Sequence, residues 1–187
     1  IEPVDGEEFS VTILNGEIHE PSSNLPKNIR IVNLCQLDNG EINKLFDAKF
    51  LRPNKMTLLN TALAKRGFLL ESTEDVEQKN IYINYINCFD VSSFNQMRNI
   101  YVCRKNCRLH FVERFFSVGD QNFPQLNNIV SEFQLEEGAH VEISSFGSMS
   151  SNSKSKNISH AFVNQKKNSS FNFFGMYADV GWLRNSI

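Results

Sequence analysis

The chain has 187 residues and a mass of 21.4 kDa, with 41% hydrophobic residues, enough for one domain with a sizeable core. Its 19 basic and 21 acidic side chains leave a net charge of -2, and they are scattered rather than blocked, which argues against a nucleic-acid footprint. The apolar runs fall far short of the roughly 20 residues of a membrane span, and no charged-then-apolar leader is visible. The expectation is a soluble protein of the cytoplasm or an organelle stroma, with neither nucleic acid nor membrane as partner.

Four cysteines, Cys35, Cys88, Cys103 and Cys107, lack the density and regular spacing of a disulfide scaffold, which fits a reducing compartment. The composition is biased: 23 Asn and 19 Ser stand beside 16 Phe and only 5 Pro. Asn tolerates left-handed backbone and hydrogen-bonds its own chain, so short apolar stretches separated by Asn predict many tight corners and few long helices. A β-solenoid or a sandwich follows as the first expectation.

In chain order, Phe9, Val11 and Ile13 alternate with polar neighbours, Asn15-Gly16 is a two-residue hairpin signal, and Ile18 resumes the pattern. A hairpin over Phe9–Ile18 is predicted. The Pro21 to Pro26 stretch has turn composition, and Ile29, Ile31 and Val32 open a strand. Residues 1–40 thus read as an N-terminal strand and hairpin segment. Residues 41–67 read as helical: Ile42, Leu45, Phe46 and Phe50, then Leu58, Leu59, Ala62 and Leu63, fall at helical offsets over Glu41–Leu51 and Met56–Lys65. Asn54 or Thr57 would cap the second helix and Gly67 would end it. Phe68-Leu69-Leu70 follows as a short strand and Glu71–Asn80 as a polar connection.

Residues 68–187 carry an internal repeat. Asn-Ile recurs at Asn99-Ile100, Asn128-Ile129 and Asn157-Ile158, 29 residues apart, and one more step lands on Ser186-Ile187. A second marker follows each of the three, at Arg104–Phe111, Glu136–Ile143 and Lys166–Phe173. The gap between the two markers is shorter in the first unit, which reads as a tightened coil. Aligning the second markers places Cys107, Ala139 and Ser169 in a small-residue column, then Leu109, Val141 and Phe171, then Phe111, Ile143 and Phe173, all facing inward. Arg108, His140 and Ser170, then His110, Glu142 and Asn172, form the outer face. Asn106, Gly138 and Asn168 precede each strand, where a corner needs positive φ. This pattern predicts a mainly β fold, a right-handed β-helix (β-solenoid) with a short helical segment near residues 41–65. The Ser144–Asn157 stretch reads as a loop bridging two coils, with Phe146 and Met149 folded back onto the coil.

Several segments resemble the SufB/SufD family of iron-sulfur cluster assembly, more closely on its SufD side. Leu59-Asn60-Thr61-Ala62-Leu63 followed by Arg66-Gly67-Phe68-Leu69-Leu70 is similar to that family's passage from its helical region into the β-helix. Asn106–Phe115 resembles one of its coils, Leu135–Ala139 one of its rungs, and Phe9–Gly16 the strand and turn that precede the passage. The resemblance covers most of the chain, as the N-terminal and middle part of a β-helix core. It implies a noncatalytic scaffold that pairs with a SufB-like subunit and an ABC-type ATPase of the SufC kind, with the nascent iron-sulfur cluster held only at the level of the complex. The family's cluster-linked cysteine and histidine belong to its C-terminal part, so none is carried onto this sequence. The alternatives are a β-helix enzyme acting on polysaccharide and an unrelated solenoid that binds a partner protein.

No catalytic, cofactor-binding or metal-ligating residue is expected from the sequence. Cys103, Cys107 and His110 have the spacing of half a metal site, but Cys107 falls in the small inward column, His110 points outward, and Cys103 lies before the corner on another strand, so the three should not converge. His110, His140 and Glu142 share the outer face and read as solvated side chains rather than an acid/base cluster. His160 shares parity with Ile158 and reads as a buried, hydrogen-bonded histidine. A polysaccharide groove would need carboxylates in adjacent coils, whereas the column of Glu113 continues as Ser145 and Gly175. A stack ending near Trp182 and Leu183 leaves a bare coil edge, so self-association through that end is expected.

Overall fold

The computed structural model describes residues 9–20, 23–38, 40–41, 45, 54–73, 79–89, 92–119, 123–148, 154–178 and 182–187. Two six-stranded sheets carry the fold. Sheet A contains β1 (Ser10–Leu14), β2 (Glu17–Ile18), β5 (Lys79–Phe89), β7 (Arg108–Gly119), β9 (His140–Ser148) and β11 (Ser170–Ala178); sheet B contains β3 (Ile29–Asn33), β4 (Phe68–Ser72), β6 (Ser93–Cys103), β8 (Gln125–Leu135), β10 (Ser155–Gln165) and β12 (Trp182–Ser186). From β5 onward the chain alternates between the sheets, and each strand pairs in parallel with the strand two places later in the sequence. That is a β-solenoid. At the N-terminal end the stack is finished by antiparallel pairs, β2 on β1 and β3 on β4. The shortness of β2 keeps an exposed edge small.

The second sequence marker is in register. Ile81, Phe111, Ile143 and Phe173 stand in one column, with coil steps of 30, 32 and 30 residues. Asn106, Asn168 and Gly138 all have positive φ (59°, 58° and 71°), as do Asn15 and Gly16 in the predicted hairpin turn between β1 and β2. Each corner is a four-residue turn closed by an amide bond, Cys107 N to Arg104 O, Ala139 N to Glu136 O and Ser169 N to Lys166 O. Charges at the start of these corners alternate in sign along the stack. Glu71, Arg104, Glu136 and Lys166 therefore form an ion-pair ladder.

The first marker fails. Asn99 pairs with Ser131, Asn128 with Ile158, and Ile158 with Arg184 rather than with Ile187. The recurring Asn-Ile pairs sit at different heights along their strands, so the short first gap is no tightened coil.

Inward side chains of both sheets meet in one core that includes Val11, Ile13, Phe68, Ile81, Ile83, Tyr101, Phe111, Phe133, Leu135, Val141 and Ile143. Asparagine has a second use here. Asn95 Nδ2 donates to Asn127 Oδ1 at 2.8 Å, and Asn127 Nδ2 donates to Asn157 Oδ1 at 2.9 Å, a ladder that runs across three coils. Identical amides at one register position satisfy one another, so burial there costs little.

Helix α1 (Lys55–Leu63) has Asn54 as its cap, with Asn54 Oδ1 accepting from Met56 N and Thr57 N and Thr57 Oγ1 accepting from Asn54 N. Its buried face is Thr57 and Asn60, whereas Leu58 and Leu63 are exposed, which overturns the expected apolar face. The surface beneath is polar: Asn60 Nδ2 donates to Met97 O and Asn128 O at 2.9 and 3.0 Å. An amide docks there better than a leucine. The helix ends at Ala64 rather than Gly67. Gly67, at φ +118°, serves close approach instead, since a Cβ would lie 1.8 Å from Arg98 O.

The helix expected over Glu41–Leu51 lies outside the described residues except for Glu41 and Leu45. Leu45 packs on a second apolar cluster of Leu34, Leu37, Leu69, Ile100 and Val102 on the outer face of sheet B. Two expected connections begin and end as strand. Glu71 and Ser72 complete β4 and Lys79 begins β5, while Ser144–Ser148 continues β9 and Ser155 opens β10. Phe146 is an exposed outer-face side chain instead of folding inward, and Met149 lies outside the described residues.

Candidate functional site

The corner between β6 and β7 brings Cys103 and Cys107 together, although the sequence placed them on different strands. The turn from Arg104 to Cys107 reverses the chain, both cysteines are fully buried, and their thiols are hydrogen-bonded to each other. The Cys103 S–H on the Cys107 sulfur lowers the Cys107 thiol to about 7 against the opposing effect of burial, and the Ser72 hydroxyl assists. Cys103, as the donor in an apolar setting, is pushed well up. His110 does not join them: its Nε2 lies 2.9 Å from Ser144 Oγ on the outer face of sheet A.

That outer face holds the second predicted group. His110 faces Glu142 in register and Arg108 faces His140, around a shallow cavity of about 320 Å³ lined by Arg108, His110, His140 and Glu142. Each imidazole is bound to a serine of the next coil, His140 Nδ1 to Ser170 Oγ at 2.7 Å and His110 to Ser144, so neither activates the other. Among the described residues no three His, Cys, Asp or Glu are grouped to hold a metal ion. Further along the same face, Phe116, Phe146, Phe174 and Met176 are exposed, with Phe146 and Phe174 rings 6.1 Å apart.

The interior holds a polar network that alternation alone does not reveal. Tyr101 OH donates to Glu113 Oε1 at 3.0 Å and Tyr85 OH at 3.4 Å, Tyr85 OH also lies 3.2 Å from Tyr101 OH, and Asn99 Nδ2 donates to Tyr85 OH at 3.0 Å. Burial raises the Glu113 pKa against the lowering effect of hydrogen bonds from Tyr101, Ser145 and Tyr85, and burial likewise raises both tyrosines. Glu113 stands in register with Ser145 and Gly175. Its carboxyl is therefore sealed among hydroxyl donors in the lumen rather than lining an open groove. The sequence signal was available: Glu113 has the inward parity of Leu109 and Phe111.

Under α1 on sheet B, Arg98 and Glu132 form an ion pair, Nε to Oε1 at 2.6 Å, with the Arg98 side chain fully buried and Glu132 9% exposed. Arg98 NH1 also donates to Thr61 Oγ1 at 2.9 Å. His160, 3% exposed as expected, lies 3.4 Å from Asn54 Nδ2 at the start of α1, and burial holds its pKa down. These side chains fasten the helix to the solenoid.

No family model, curated protein or solved structure matches the chain. Among the described residues no helix is long and apolar enough to cross a membrane.

Proposed function

We propose that the chain is a noncatalytic scaffold subunit of SUF-type iron-sulfur cluster assembly, a SufD-like β-helix that pairs with a SufB-like subunit and an ABC-type ATPase of the SufC kind. What supports the reading is where the resembling residues stand. Asn60 of Leu59–Leu63 docks α1 onto the carbonyls of two coils, Gly67 admits the Arg98 carbonyl, and Asn106 and Gly138 turn successive corners at positive φ. The matched segments are thus the points at which a helix must join a solenoid and a solenoid must turn.

A stack with an asparagine ladder and the Glu113 network inside and exposed aromatic side chains outside suits a part that is held and moved by partners. Iron and sulfide would be cargo of the assembled complex. The far edges of β11 and β12 pair with no further strand among the described residues, and Trp182 is exposed there. A SufB-like β-helix would add to that end, and the chain alone would self-associate through it.

Co-expression with a SufB-type and a SufC-type protein, followed by affinity purification and sedimentation, tests the proposal. A stable three-protein complex, in place of self-associated chain, is the expected outcome. Failure to bind either partner, with the chain folded, overturns it in favour of an unrelated solenoid binding module.

A further inference from the structure

We infer that Cys103 and Cys107 form a reversible disulfide that staples β6 to β7 across the Arg104–Cys107 corner. Packing does not require two thiols at this place. In the following coils the column of Cys107 continues as Ala139 and Ser169, and Cys103 pairs with Leu135, so small or plain apolar groups serve equally well. Only in this coil do two sulfurs meet. The corner sets both in one buried cluster, on either side of a turn closed by the Cys107 N to Arg104 O hydrogen bond, and the pKa of each thiol reflects a hydrogen bond with the other. Formation of the bond therefore needs little backbone movement.

Both thiols are buried, at a corner whose two middle residues face solvent. Lys105 and Asn106, the two residues between Arg104 and Cys107, are exposed. The oxidant required is a small one such as hydrogen peroxide. Cys107, lowered to about 7, supplies the thiolate. It attacks one peroxide oxygen, the O–O bond breaks, and the departing hydroxide takes up a proton as water, leaving Cys107 as a sulfenic acid. Cys103 gives its proton to the sulfenic hydroxyl and attacks the Cys107 sulfur. The S–O bond breaks, a second water leaves, and the S–S bond forms. Two thiols are oxidised and one peroxide is reduced to two waters. Cys35 and Cys88, both exposed, take no part.

The test uses the Cys35→Ser, Cys88→Ser double variant, which retains only the corner pair. After brief peroxide treatment of the folded protein, alkylation in denaturant and mass spectrometry should show a loss of two hydrogens with no alkylated cysteine. Dithiothreitol should restore full alkylation. Trypsin cuts after Arg104 and Lys105, so the disulfide links two separate peptides. Oxidation should be faster in the folded protein than in denaturant, and Cys103→Ser in the same background should end as an oxygen adduct on Cys107. Two alkylatable thiols after peroxide, an unlinked oxygen adduct on the intact pair, a crosslinked dimer, or faster reaction of the unfolded chain would each overturn the inference. If the double variant does not fold, the same linked peptides sought in the native chain decide the matter.

Discussion

The outer faces of the two sheets are built from the same alternating pattern and have opposite fates. On sheet B the outer side chains Gln96, Arg98, Ile100, Asn128 and Glu132 are buried, because α1 and the Leu45 segment lie across them. On sheet A the outer side chains of β7, β9 and β11 face solvent, and Phe116, Phe146, Phe174 and Met176 are among them. Under α1 the covered face is polar, with an ion pair and amides, while one end of the bare face carries aromatic rings. A covering helix makes a polar outer face expensive to disturb, whereas a bare apolar face has stability to spare and surface to offer.

The comparison breaks most sharply at Arg98. Its replacement by alanine leaves Glu132 buried without its cation, and a loss of about 3–5 kcal/mol is expected in denaturant unfolding. Replacing the pair together, Arg98→Met with Glu132→Leu, should recover most of that loss, since no charge is then stranded. Next in size is Asn60→Ala, which removes the donor to Met97 O and Asn128 O and leaves both carbonyls buried. A cost of about 1–3 kcal/mol follows, read as a lower unfolding midpoint. Should Asn60→Ala prove neutral, the helix is fastened by something other than its amide.

The course of the solenoid was legible where backbone conformation demands a residue type. Asn106, Gly138 and Asn168 marked corners because few residues adopt positive φ cheaply, and their spacing carried the correct register of Phe111, Ile143 and Phe173. Asn-Ile misled because asparagine has two uses here, corner and ladder, and an abundant residue recurs by coincidence. The face of α1 misled for a different reason. Helical periodicity reports which residues are apolar, not what they meet, and α1 meets carbonyls and an ion pair. Cys103 and Cys107 were separated because they were assigned to different strands, an argument that lapses where a tight turn joins the two. The Glu71, Arg104, Glu136, Lys166 ladder could have been found from the alternating signs of the aligned corners.

Inside the lumen, Glu113 gives a smaller and pH-dependent effect. Its folded pKa is raised by burial, so between the ordinary carboxylate range and that raised value the folded state keeps a proton that the unfolded state has lost. Stability is then greatest below the unfolded pKa and falls as pH rises through the folded one, with a slope of at most about 1.4 kcal/mol per pH unit. Glu113→Gln should remove this part of the slope. Glu132, also raised by burial despite Arg98, contributes the same sign and remains. An unchanged profile in urea melts from acid to neutral pH would show that the lumen hydroxyls stabilise the ionised carboxylate fully.

The smallest effect on stability is expected on the bare face. Phe146 and Phe174, 38% and 57% exposed, are neighbours on adjacent coils with ring centroids 6.1 Å apart. Replacing both with serine should change unfolding free energy by about 1 kcal/mol, the sum of two surface sites without special contacts. Binding should respond differently. Aromatic anchors at the centre of an interface commonly contribute 2 kcal/mol or more, so a partner that seats on these rings should lose about 30-fold or more in affinity. Calorimetric melting and titration with the SufB-type protein on the same variant separate the two. A loss of more than about 2 kcal/mol in stability would mean that the chain covers this face itself, and the contrast between the two sheets would then disappear.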